Sequence, residues 1–102
     1  MSIIYLVTLD TGQKKLNLEF DLTKEWIREN LTEACPVNGV KFLQGKKGFS
    51  DTSPSIDKIN PKLGYTQKNC RIISWRINSI KNNGTLEEFQ AIIKYLEQYE
   101  NL

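Results

Sequence analysis

No histidine occurs anywhere in the 102 residues. Whatever chemistry this chain performs must do without an imidazole as general base or metal ligand. Cysteine is almost as scarce: Cys35 and Cys70 are the only two, too few to staple a small secreted scaffold. A reducing, cytoplasmic setting is therefore expected. No apolar run approaches the roughly 18 residues that span a membrane, so no membrane association is expected. The opening Met1-Ser2-Ile3-Ile4-Tyr5-Leu6-Val7 has no basic start and no small-residue cleavage site, which argues against a secretory leader. Repeats, low-complexity tracts and linkers are also missing, and the length suits one domain over 1–102 with one modest core.

Acidic residues are scarce in one particular stretch. Between Lys41 and Lys81 nine basic residues face only Asp51 and Asp57, a local charge of +7, whereas the remainder carries five basic and ten acidic residues, or −5. A formal net charge of +2 hides this asymmetry. Concentrated positive charge suits an anionic partner, and nucleic acid is the usual one. A solvated lysine-rich surface would look the same at this level.

The local patterns place the elements. Residues 1–20 are ambiguous: Ile3, Ile4, Tyr5, Val7 and Thr8 favour a strand, but Ile3, Leu6, Leu9 and Leu16 fit a helical stripe. Asp21-Leu22-Thr23 offers an N-cap for a helix over Lys24–Leu31, with Trp26, Ile27 and Leu31 inward. Cys35–Phe42 reads as a tight turn or short hairpin around Asn38-Gly39. Residues 43–54 read as an exposed basic loop. Strands are predicted at Ser55–Ile59 and Cys70–Ser74, joined by the loop chemistry of Asn60-Pro61-Lys62-Leu63-Gly64-Tyr65. A helix follows over Trp75–Asn82. Thr85-Leu86-Glu87-Glu88 is a capping box, and Leu86, Phe89, Ile92, Ile93, Leu96 and Tyr99 continue a helical stripe that should be core.

Strand, loop, strand and helix form a ββα unit, about residues 53–82, inside the basic stretch. The residues Ser53-Pro54-Ser55-Ile56-Asp57-Lys58-Ile59-Asn60-Pro61, Gly64-Tyr65-Thr66, Asn69, Asn78 and Lys81 resemble the HNH (His-Me finger, ββα-metal) endonuclease core, in its small phage-encoded variety. The similarity runs over roughly residues 18–95. It implies an α+β fold: a small ββα-metal finger flanked by an N-terminal helix and a C-terminal amphipathic helix.

The resemblance also implies roles. Asp57 and Asn78 would be ligands of a divalent metal, magnesium or manganese; Asn69 would brace the loop. Lys58 falls where the family has its general-base histidine, so Asp57, Lys58, Asn69 and Asn78 form the candidate catalytic set. Lys46, Lys47, Lys58, Lys62, Lys68, Arg71, Arg76 and Lys81 are the candidate nucleic-acid contacts. One charged and one neutral oxygen suffice for a hard cation that keeps water and phosphate oxygens in its shell.

Two departures follow. An ammonium with lysine's ordinary pKa of about 10.4 holds its proton at neutral pH, and a positioned base contributes roughly 10²–10⁴ in rate. Slow or absent turnover is therefore expected, with Lys58 binding phosphate; an unusual base or a plain surface lysine are the other readings. Relatives that brace the finger with two Cys-x-x-Cys pairs would have them at Cys35/Asn38 and Ser74/Ile77, so structural zinc is not expected. Cys70 should be buried as a small apolar residue, with Trp75, Ile77 and Ile80 filling the space and the last helix alongside. Three functions stay open: a metal-dependent DNA endonuclease or nickase; a catalytically inactive module binding DNA, or RNA; and an effector that binds a host protein in the host cytoplasm.

Overall fold

The computed structural model of the chain describes residues 19–43 and 50–102. The strand-or-helix question for residues 1–18 and the lysines Lys46 and Lys47 therefore lie outside the described residues. Among the described residues the architecture is α+β: helix α1 (Lys24–Asn30), strands β1 (Pro54–Lys58) and β2 (Cys70–Ser74), helix α2 (Trp75–Lys81) and helix α3 (Leu86–Glu97).

Helix α1 starts where a hydroxyl can meet an orphan donor. Thr23 Oγ1 accepts the Trp26 N–H at 3.0 Å, so Thr23 is the N-cap of the Asp21–Thr23 triplet. Asp21 instead reaches across the fold, its Oδ1 accepting the Gln67 N–H at 2.6 Å. The helix stops at Leu31, which turns extended. Trp26 and Ile27 are buried, and with Leu22, Ile56, Cys70 and Ile72 they form the core. Phe20, Leu31, Phe42 and Tyr65 pack at its edge. Truncating Ile27 to alanine would leave a cavity and cost about 2–5 kcal/mol.

The Cys35–Phe42 segment is a tight hairpin. Ala34 bridges Lys41, and Cys35 N–H donates to the Val40 carbonyl at 2.9 Å. Gly39 takes the turn's left-handed position at φ 72°, which a residue with a Cβ would adopt only with strain. β1 and β2 pair antiparallel, with Ile56 opposite Ile72 and Asp57 opposite Arg71. Tyr65 also bridges Phe20, and a Cβ on Gly64 would collide with the Glu19 carbonyl oxygen. The part of residues 43–54 expected as exposed loop ends differently: Ser53 and Pro54 are buried. The carbonyls of Ser53 and Asp51 accept the N–H groups of Trp75 and Arg76 at 2.8 and 3.1 Å, so the segment satisfies the first turn of α2.

Helix α2 follows β2 without a loop. Ser74 ends the strand and caps the helix, its Oγ accepting the Ile77 N–H at 3.2 Å. Asn82, at φ 39°, stops it. Cys70 is fully buried, but Trp75 and Ile80 are exposed at 40% and 54% and no residue of α2 is buried. The expectation that they fill the finger's interior is thus corrected: the helix presents Asn78 and Lys81 to β1, Ile77 and Ile80 line an apolar groove with Ile59 and Ile73, and Trp75 lines a separate cleft.

A second correction concerns α3. Its capping box forms as read, with Glu88 N–H donating to Thr85 Oγ1 at 3.1 Å and Thr85 N–H to Glu88 Oε1 at 2.9 Å. Yet none of its residues is buried, and Leu86, Ile92, Ile93 and Leu96 are all more than half exposed. Periodicity shows that a helix has an apolar face; it does not show what covers that face. Accordingly, Ile93→Lys should change the thermal unfolding free energy by no more than about 0.5 kcal/mol. A loss comparable to that of Ile27→Ala in the same melts would mean the helix is packed after all. No helix among the described residues is long and apolar enough to cross a membrane.

Candidate functional site

The site is built where α2 lies against β1. Asn78 and Lys81 are three residues apart and so share one face of the helix. They stitch it to successive positions of the strand. Asn78 Nδ2 donates to Ser55 Oγ at 2.7 Å and to the Ile56 carbonyl at 3.2 Å. Lys81 Nζ donates to Asp57 Oδ1 at 3.0 Å and to the Lys58 carbonyl at 3.3 Å. The carbonyl partner fixes the amide orientation of Asn78: nitrogen toward the strand, oxygen away from it.

Asp57 is buried at 5% exposure, unusual for a carboxylate. Lys81 is the counter-ion of this pair, with side chains 29% and 6% exposed for lysine and aspartate. Among the described residues nothing else donates to the Asp57 carboxylate, and nothing donates to Asn78 Oδ1. One carboxylate oxygen and one amide oxygen are thus left without donors, a combination that can hold a hard cation. Asp57 and Asn78 line the same cleft of about 480 Å³, together with Lys58, Tyr65, Trp75 and Ser79. No group of three or more histidine, cysteine, aspartate or glutamate side chains that could hold a metal occurs among the described residues.

Lys58 ends β1 half-buried, and its ammonium lies 4.8 Å above the Tyr65 ring centroid, where the ring quadrupole attracts a cation. Asn69 lies at the far end of the loop and is buried. Its Oδ1 accepts the Asn60 N–H at 2.9 Å, while Nδ2 donates to the carbonyls of Asn60 at 3.0 Å and Gly64 at 2.9 Å. Its own carbonyl accepts the Ile59 N–H at 2.8 Å, so it also holds the end of β1 beside Lys58.

The other basic candidates are spread over the surface. Lys62, Lys68, Arg71 and Arg76 are exposed, and Arg71 is partly occupied with the carbonyls of Cys70 at 2.6 Å and Lys68 at 3.3 Å. Two contributors were missed at the sequence level: Ser55, which receives Asn78, and Tyr65, which lies under Lys58. Ser55 stands two residues before Asp57 and so on the same strand face, a spacing that could have flagged it.

Cys35 and Ser74 do come together: Cys35 Sγ accepts the Ser74 N–H at 3.3 Å. Burial pushes the Cys35 thiol up, but N–H groups of Asn38, Ser74 and Val37 directed at the sulfur outweigh it and leave the thiol below its ordinary value.

No family model and no curated protein matches the sequence. Among solved structures the chain is similar to the rare-cutting HNH restriction endonuclease PacI, at 15% identity and a TM-score of 0.59, over 88% of this chain and 72% of that one. At that identity the likeness is one of fold, and the ββα arrangement of this chain is HNH-like.

Proposed function

We propose that this protein acts on DNA as a metal-dependent endonuclease or nickase of the HNH kind, slowed by the lysine at its base position. The observation that supports this best is the meeting of Asp57, Lys58 and Asn78 on one cleft in a fold shared with an HNH endonuclease that acts on DNA. Asp57 and Asn78 would hold magnesium or manganese through the carboxylate and amide oxygens to which no described residue donates. A bound divalent cation would supply charge stabilisation at the reacting phosphate. Lys58 would hold a phosphate oxygen at the cleft, and the exposed Lys62, Lys68, Arg71 and Arg76 would neutralise the flanking backbone. Asn69 keeps the intervening loop closed, which positions Lys58 through the end of β1.

One observation favours a second reading, a DNA-binding module without turnover: an ammonium, Lys58, stands at the base position on the cleft, and a second, Lys81, already pairs with the Asp57 carboxylate. The two readings separate on supercoiled plasmid with purified protein. The nuclease reading expects nicking with magnesium or manganese, none with chelator, and a loss of at least about 10²-fold in Asp57→Ala. Wild type and Asp57→Ala behaving alike, with binding that weakens steeply as salt is added, would leave only the binding module.

A further inference from the structure

We infer that Lys81 is an internal competitor for the divalent cation, holding the Asp57 carboxylate in a low-affinity state in the free protein. The inference rests on the metal-dependent reading above and adds a regulatory residue to it. Three attractions converge on the ammonium. It donates to Asp57 Oδ1 at 3.0 Å and to the Lys58 carbonyl at 3.3 Å, and it sits in the last turn of α2, where the helix carbonyls favour a cation. The carboxylate it neutralises is almost fully buried.

A cation entering at Asp57 meets a site whose negative charge is already paired. Because the competitor is tethered to the same fold, dilution does not weaken it; its effective concentration at Asp57 is set by the chain. Lys81 keeps about a third of its side chain in solvent, so the ammonium has room to leave. The cation would take the carboxylate oxygen that Lys81 leaves free, so the two compete for one negative charge, and removing the tethered ammonium should tighten the other.

An alternative role is structural, the pair serving only to fasten α2 to β1. Both roles predict that Lys81→Met lowers stability, so stability does not decide between them. Metal affinity does. The test is titration of the full chain with Mn²⁺ alone, free Mn²⁺ being followed by electron paramagnetic resonance.

Lys81→Met should bind Mn²⁺ roughly tenfold more tightly than wild type, while Lys81→Arg, which keeps the charge, should stay within about twofold of it. Adding Asp57→Ala to Lys81→Met should abolish the gain. If Lys81→Met does not fold, Lys81→Gln carries the same expectation, since its amide can donate to Asp57 without a charge. Mn²⁺ affinity equal to or weaker than wild type in the uncharged variants, alongside measurable wild-type binding, would overturn the inference and leave the metal reading standing. No Mn²⁺ binding by any form would overturn both.

Discussion

Replacing Lys58 with histidine is expected to raise the rate of metal-dependent plasmid nicking by about 10²-fold. In the proposed site Asp57 and Asn78 would hold the metal and the lysines the phosphate, but the side chain at the end of β1 is a lysine, which as an ammonium has no lone pair to take a proton. A positioned general base contributes roughly 10²–10⁴ in rate, and the lower end applies here because an imidazole is shorter than lysine and has not been packed for. The surroundings accept the change: Lys58 is half-buried over the face of Tyr65, on which an imidazole can stack, and its backbone stays paired with Cys70.

The pH profile carries the sign of the argument. Histidine works as a base only when deprotonated, so the gained activity should be low near pH 5.5. It should rise through the ordinary imidazole value of about 6.5 and flatten above it. Wild type should show no rise centred there, having no histidine. Lys58→Ala separates the missing base from the lost cation: it should be no faster than wild type, and weaker on DNA. A folded Lys58→His protein that nicks no faster at pH 8 would mean the end of β1 is not where the attacking water is activated.

How much of this was legible beforehand follows the range of each interaction. Features set within a few residues read cleanly: the Thr85–Glu88 capping box, Thr23 as a cap, Gly39 in the hairpin turn and the two strands. The ββα order was also legible, because the loop residues between Ile59 and Asn69 punctuate it. What failed were inferences about the partner of a surface. The stripe of α3 is real but uncovered among the described residues, and Trp75 and Ile80 face outward. The pairing of Lys81 with Asp57 was invisible for a similar reason. Twenty-four residues separate them, and only the register of α2 along β1 decides whether the lysine meets a carboxylate or solvent. Ser53 and Asp51 belong to the same class, since nothing local says that a loop carbonyl will cap a helix beyond the next hairpin.

A large effect on stability, reaching the site itself, is expected at Asn69. Its side chain makes three hydrogen bonds that tie Asn60 and Gly64 together across the loop, and the residue is only 7% exposed. In Asn69→Ala the Gly64 carbonyl loses its bond where water has little access, and the N–H and carbonyl of the exposed Asn60 lose theirs at the loop's edge. At about 1 kcal/mol per net bond, with a further cost for each buried group left unsatisfied, the loss is about 3 kcal/mol. For a domain of this size that lowers the thermal midpoint by more than about 10 °C. Asn69→Asp tests the reason. A carboxylate can still accept from Asn60 but has no protons for the carbonyls of Asn60 and Gly64, which it would instead face with negative charge. It should therefore be at least as damaging as alanine despite its near-identical shape. An aspartate variant melting within a few degrees of wild type would show that the loop does not depend on the amide's donor side. The consequence reaches the cleft: the Asn69 carbonyl holds the Ile59 N–H next to Lys58, so a loosened loop releases the end of β1. Nicking in Asn69→Ala should then fall further than the folded fraction alone accounts for.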